Sequence, residues 1–288
     1  MSSKDLLNNI KKLREITGVG FKDCKTALDE NQGDIEKSIE FLRKKGIAKA
    51  SKKMSRTASE GLALVQEAEG RISIIEINSE TDFVAKNENF INFCKELSKI
   101  NFLTKANLNK LENTKMKNGI LVKDNLVNLI AKIGEKITIR RAHFFDNSKG
   151  QNFFYVHSAI EKNIGKIVSI VKIDGITKDK NEDLGIKIAM HIAASSPLAI
   201  DKEGIDKKIV DKELEIIRAE IENSGKPSQM VEKISNGKIS KFLNDNSLLN
   251  QIWIMDSKKK VSDVLKENSF EKKLNILEFV RYKVGEGV

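Results

Sequence analysis

Three histidines, two cysteines and 41 acidic side chains are the groups in this 288-residue sequence that could carry chemistry. His143, His157 and His191 are not spaced as ligands of one metal ion. HExxH, GxSxG, Walker and paired-cysteine patterns are all missing. Each histidine therefore reads as a structural residue, with a partial exception for His157, which falls on a predicted strand among polar neighbours and could face outward. Cys24 and Cys94 lie far apart within helical patterns and read as buried thiols of a reducing compartment. Carboxylate pairs occur, none distinguishable from surface charge. The expected class is non-enzymatic, with no metal and no cofactor.

One constellation stands apart. In Glu76-Ile77-Asn78-Ser79-Glu80-Thr81-Asp82-Phe83-Val84-Ala85-Lys86 an apolar strand ends at Asn78, and a carboxylate then stands beside an aromatic before the next helix begins. Local pattern allows two readings. Asp82 caps the following helix while Phe83 closes the core beneath it, or the pair is a probe aimed at a partner.

The elements that would position these residues follow from hydrophobic periodicity. Residues 4 to 46 predict three short helices with stripes Leu6/Ile10/Leu13, Phe21/Cys24/Leu28 and Ile35/Ile39/Leu42, stopping at Gly18, Gly33 and Gly46, with Asp34 as N-cap of the third. The loop Gly18-Val19-Gly20-Phe21 fails as a phosphate loop, since no strand precedes it and no third glycine or GK[ST] follows. It reads instead as a docking surface built on Val19, Gly20 and Phe21, resembling the loop of ubiquitin-associated (UBA) domains. Residues 47 to 60 form a basic linker, part of a run in which Arg43, Lys44, Lys45, Lys49, Lys52, Lys53 and Arg56 have no acidic residue between them. A solvated helix tail, an acidic partner face and an RNA phosphate all fit that run.

From Gly61 the period alternates. Leu62/Leu64 and Ile72/Ile74/Ile75/Ile77 predict two strands around the turn Glu69-Gly70. An amphipathic helix through Phe90, Phe93, Cys94 and Leu97 follows. Residues 101 to 118 are poorly determined by pattern, and then come a helix ending at Gly134 and a strand Ile137 to Arg141. The same grammar repeats: Phe153 to Ile160 and Lys166 to Ile173 form a second hairpin, followed by a helix broken at Ser196-Pro197. The third strand of this second unit is expected late, from Gln251 to Met255 or Val280 to Val284. Between about 205 and 243, Val210, Leu214, Ile217 and Ile221 step along a charged helix, Ser224-Gly225-Lys226-Pro227 turns the chain, and a second apolar seam returns it as an antiparallel coiled-coil hairpin. The expected fold class is α+β: a three-helix bundle (1–46), then two tandem three-stranded antiparallel sheet/helix subdomains, 61–145 and 146–288, the second bearing the projecting hairpin.

Composition bounds the partners. Net charge is +10, but only eight of the 51 basic residues are Arg, and no aromatic stripe interleaves the lysine clusters. Charge alone is weak support for nucleic-acid recognition. No apolar stretch approaches the ~20 residues of a membrane helix, and Met1-Ser2-Ser3-Lys4-Asp5 leads into an amphipathic helix without a signal-peptide core. A cytoplasmic location is expected.

Leu13 to Leu28, reading Leu-Arg-Glu-Ile-Thr-Gly-Val-Gly-Phe-Lys-Asp-Cys-Lys-Thr-Ala-Leu, closely resembles the N-terminal signature of the bacterial elongation factor Ts family, and Glu76 to Lys86 resembles its second signature. Ala131 to Glu135 with Ile139-Arg140-Arg141, His191 to Pro197, Ser224 to Pro227 and Val284 to Gly287 are similar in the same order, so the likeness covers essentially the whole chain. It implies a guanine-nucleotide exchange factor for elongation factor Tu, in both its GDP-bound and nucleotide-free forms. Thr81, Asp82, Phe83 and Val84 would push toward the Mg²⁺ site of Tu. Val19, Gly20 and Phe21 would dock on its nucleotide domain, and the second sheet unit, with His157, would brace another of its domains. Two Tu–Ts units could pair. Longer members continue past the Gly-Glu-Gly segment into a further helical module, whereas this sequence stops at Val288. The competing class is a UBA-type adaptor whose basic linker binds RNA.

Overall fold

The computed structural model describes residues 3–17, 19–51, 53–176, 178–223, 228–270 and 272–288. Helices α1 (Ser3–Thr17), α2 (Phe21–Glu30) and α3 (Ile35–Ser51) open the chain. Their stripes meet, with Ile10, Leu13, Cys24, Ala27, Leu28 and Leu42 buried together and Leu6, Ile35 and Ile39 packed partly buried against them, but Phe21 of the second stripe stays outside the cluster, exposed. Gly33 takes a left-handed φ of 82° and its N–H returns to Leu28 O at 2.8 Å, closing α2. Asp34 caps α3 by accepting from Lys37 N at 3.0 Å. Gly18 lies outside the described residues.

The first sheet unit contains β1 (Glu60–Ala68), β2 (Arg71–Ser79), α4 (Asp82–Ala85), α5 (Glu88–Leu103), α6 (Leu108–Glu112), α7 (Val122–Ile133) and β3 (Ile137–Phe145). β1 and β2 pair from Glu60↔Ser79 to Ala68↔Arg71 across Glu69-Gly70, whose φ values of 53° and 75° match the twist of a two-residue hairpin. Residues 101 to 118 fold as the end of α5, the short α6 and a loop closed by Met116 N–H to Ile120 O at 2.8 Å. Gly46 is not a helix stop. α3 runs past it to Ser51 because it packs on α7, where a Cβ at Gly46 would lie 3.5 Å from Ala131 Cβ. A glycine can end a helix or let two helices approach, and only the neighbour distinguishes the two.

The second unit contains β4 (Gln151–His157), β5 (Ile164–Gly165), β6 (Ile167–Asp174), α8 (Lys178–Ser195), α9 (Lys207–Asn223), α10 (Ser228–Asn246), α11 (Val261–Glu267) and β7 (Asn275–Lys283). Its sheet has the order β4-β6-β7. The late third strand is thus β7, which takes in most of Val280 to Val284. Gln251 to Met255 is instead a loop that buries Trp253 and exposes Ile252. The first sheet has four strands rather than three, β3-β2-β1-β5, because Ile164 and Gly165 cross over and pair with Leu64 and Ala63. A two-residue strand leaves no alternation in a sequence. α9 and α10 pack on each other, burying Ile217 and Ile221; the turn Ser224 to Pro227 lies outside the described residues.

The two sheets face each other. Ala63, Val65, Ile72, Ile74 and Phe145 of the first pack on Val168, Ile170 and Tyr282 of the second. Their outer faces are covered by α5 and α7 on one side and by α8 and α11 on the other. The result is α+β in four layers, which explains why β2 is buried from Ile72 to Ser79: both of its faces meet a core. Among the described residues no helix is long and apolar enough to cross a membrane.

Candidate functional site

The stretch around Asp82 and Phe83 leaves the end of this doubly buried strand. The β2–β3 ladder closes at Ser79↔Ile137, and side chains then hold the chain where backbone pairing stops. Thr81 donates its N–H to Glu135 Oε2 at 3.0 Å and its hydroxyl to Glu135 Oε1 at 2.8 Å. Glu80 accepts the N–H of Lys136 at 2.5 Å and the Arg56 guanidinium at 3.2 Å. Burial works to raise the Glu80 carboxyl, but the Lys136 N–H and Arg56 outweigh it and leave it below the usual carboxylate range.

The one-turn helix α4 begins at Asp82. Thr81 occupies the N-cap position without a side-chain cap bond, its hydroxyl being engaged by Glu135. Asp82 is therefore not the cap. It pairs with Lys86 at 2.8 Å, and that ammonium holds its carboxyl below the usual range, so it is ionised at neutral pH. Phe83 is 79% exposed, while Val84 and Ala85 are buried against β1 and α5. The core-plug role belongs to Val84. Phe83 forgoes the roughly 1.5–3 kcal/mol that burying such a side chain would contribute, and a partner's apolar pocket could recover it.

Beneath the tip lies a network that sequence reading missed. Glu76 is fully buried on β2, where it accepts from Arg140 at 3.0 Å, Arg141 at 2.6 Å and the Gly285 N–H at 3.0 Å. Arg141 also lies over the Tyr282 ring at 4.2 Å, and burial pushes the Tyr282 hydroxyl up to about 12. A lone carboxylate in an otherwise apolar strand, with an Arg-Arg pair downstream, was the available signal.

The predicted N-terminal loop rests on lighter support. Val19 is half-buried in the bundle, Gly20 is exposed and Phe21 is 47% exposed. The Cys24 thiol donates to Val19 O at 3.5 Å. Cys24 and Cys94 are both free and buried, and burial pushes both thiols up.

His157 ends β4 exposed, with the Tyr155 hydroxyl 3.3 Å from its Nδ1. His143 pairs with Glu278 across the sheets at 2.7 Å. His191 is buried against Trp253; Ile254 N–H donates to its Nδ1 at 3.4 Å, which leaves Nε2 to donate to Gln251 Oε1 at 3.0 Å. Among the described residues no group of three metal-binding side chains forms. Much of the basic run is bonded within the chain: Arg43 to Asp124 at 2.9 Å, Lys44 to Glu40 at 2.7 Å, Lys45 to Asp23 at 3.2 Å, Lys53 to the Gly134 carbonyl and Arg56 to Glu80. Lys52 lies outside the described residues.

Comparison with known proteins gives the same answer by two routes. The profile of a family described as "Elongation factor TS" matches residues 80–286. Proteins named elongation factor Ts are similar along nearly the full length. That of Methylobacterium sp. (strain 4-46) is 41% identical, covering 97% of this chain and 92% of its own. Those of Rickettsia felis and Rickettsia prowazekii are 38% and 39% identical, each covering 97% of this chain and 91% of the relative.

Proposed function

Because the chain belongs to the elongation factor Ts family of translation factors, we propose that it binds elongation factor Tu·GDP and promotes GDP release, without catalysing a chemical reaction itself. The observation that carries this reading is a Phe left 79% exposed on the one-turn helix that follows a doubly buried strand, next to an ionised Asp. A translational GTPase holds GDP through backbone N–H groups of its phosphate loop and a Mg²⁺ bridging to phosphate. Phe83 enters an apolar pocket beside that site, and Asp82 disturbs the ion's surroundings. Loss of the metal leaves the phosphate charge less compensated, and GDP departs. By linkage, the chain binds nucleotide-free Tu more tightly than Tu·GDP, and nucleotide weakens its binding by the same ratio. Turning a 1:99 population into 99:1 takes about 5.5 kcal/mol of differential binding, more than two side chains supply.

The remainder of the chain is the platform. The first three helices act as a UBA-like bundle that docks Val19, Gly20 and Phe21 on the nucleotide domain. The second sheet unit, with His157, braces a further domain, and α9 and α10 project as a coiled-coil hairpin. The work is cytoplasmic. Stopped-flow release of a fluorescent GDP from Tu tests the tip: Phe83→Ala and Asp82→Ala slow release by on the order of tenfold or more while weakening overall binding far less. Release rates equal to those with the unaltered chain overturn the reading.

A further inference from the structure

The bonds around Thr81 have a reciprocal form. Two loops separate where the β2–β3 ladder ends at Ser79↔Ile137: one leaves β2 through Glu80 and Thr81, the other enters β3 through Glu135 and Lys136. Each loop gives a carboxylate to the other's backbone, Glu80 to the Lys136 N–H and Glu135 to the Thr81 N–H and hydroxyl. These charge-assisted bonds continue the ladder past the point where strand geometry fails. α4 has only four residues and cannot hold a direction by itself: Val84 and Ala85 anchor its inner side in the core, and Thr81 fixes the end from which Asp82 and Phe83 project.

The segment trailing the N-terminal bundle joins the same junction. Arg56 bonds Glu80, its carbonyl accepts from Lys136 Nζ at 2.8 Å, and Lys53 bonds the Gly134 carbonyl. The basic run that suggested a phosphate partner is thus spent, at its C-terminal end, on this junction.

We infer that Glu135 and Glu80 are positioning residues for nucleotide exchange: they form a carboxylate clasp that aims the Asp82–Phe83 tip, and Arg56 tethers that clasp to the segment behind the docking bundle. The inference rests on the exchange reading above. Loss of the clasp leaves the docking surfaces unchanged but lets the tip swing, so it lowers the maximal rate of GDP release rather than the affinity for Tu.

The test uses the full chain at a temperature where near-ultraviolet circular dichroism shows every variant folded. GDP release from Tu is followed over a range of factor concentrations for the unaltered chain, Phe83→Ala, Glu135→Gln, Arg56→Gln, Thr81→Val and Thr81→Ser. Glu135→Gln and Thr81→Val are expected to lose on the order of tenfold in maximal rate, as small misplacements of reacting groups do, with the half-saturating concentration held within about twofold. Arg56→Gln loses less, and Thr81→Ser, which restores the hydroxyl, recovers most of what Thr81→Val loses. In parallel, 4-fluorophenylalanine at position 83 is read by fluorine NMR without Tu; its line narrows in Glu135→Gln as the tip gains motion. Maximal rates equal to that of the unaltered chain in Glu135→Gln and Thr81→Val, with Phe83→Ala slow, overturn the clasp. If Phe83→Ala is as fast as the unaltered chain, the exchange reading fails instead, and the fluorine line alone decides: an unchanged line in Glu135→Gln overturns the clasp as well.

Discussion

Phe21 and Phe83 each stand exposed at the start of a helix, yet their supports differ in kind. Phe83 follows a strand buried on both faces, and its loop is held by two carboxylates, an arginine and backbone N–H groups. Phe21 follows an exposed Gly20 that caps α2 with no side-chain bond. It sits on a bundle whose buried cluster is much smaller than that of the first sheet unit, joined to that unit through α3 on α7 and the partly exposed pair Arg43–Asp124. The contrast separates two tasks. On the function proposed above, the braced residue is the one that would have to displace something on its partner and so would need a fixed direction, whereas a loop that only docks could settle onto a surface.

Removing the root of the braced tip should have the largest effect. Glu76→Ala leaves Arg140 and Arg141 without their shared carboxylate and is expected to cost about 3 kcal/mol in urea unfolding. Asp124→Ala, which removes the exposed bundle pair, should cost under about 1 kcal/mol. Similar losses for the two would erase the distinction. A matched pair of glycines sharpens it further. Gly61 lies opposite Asn78 at φ 134°, where a Cβ would fall 2.1 Å from Ile77 O; Gly61→Ala should cost about 3 kcal/mol. Gly20 has φ −63° and nothing within 4 Å of an added Cβ, so Gly20→Ala should stay within about 1 kcal/mol. The smallest effect lies away from both loops. Burial lowers the pKa of His191 and the Gln251 bond only partly opposes this. The folded state therefore binds the proton less readily than the unfolded chain, and the stabilisation present above the ordinary histidine value is lost as pH falls through it. The denaturation midpoint should decline between about pH 7 and about pH 5.5, and His191→Gln should flatten that slope.

Much of the candidate site was legible in order but not in role. The stretch Glu76 to Lys86 announced itself because a carboxylate and an aromatic closed an apolar strand. Whether Phe83 pointed inward or outward depended on how α4 packs on α5 and β1, and there Val84 and Ala85 enter the core while Phe83 stays outside it. Thr81, placed in the tip by the family resemblance, bonds Glu135 through both its N–H and its hydroxyl, a contact that no local pattern announces. Glu135 and Arg56 gave no local signal, since each acts on a residue 54 or 24 positions away.

By itself the sequence determined the helical stripes, the two hairpins, the turn at Glu69-Gly70 and the absence of any recognisable catalytic motif, because periodicity and turn chemistry act over a few residues. The tertiary structure decided that the two sheets stack, that Ile164 and Gly165 lend a strand to the first sheet, that Gly46 is a contact rather than a stop, and that Arg43, Lys45, Lys53 and Arg56 of the basic run bond to other parts of the chain. Those outcomes depend on which distant surfaces meet. Burial and ion pairing are properties of the meeting, and no window of sequence contains both partners.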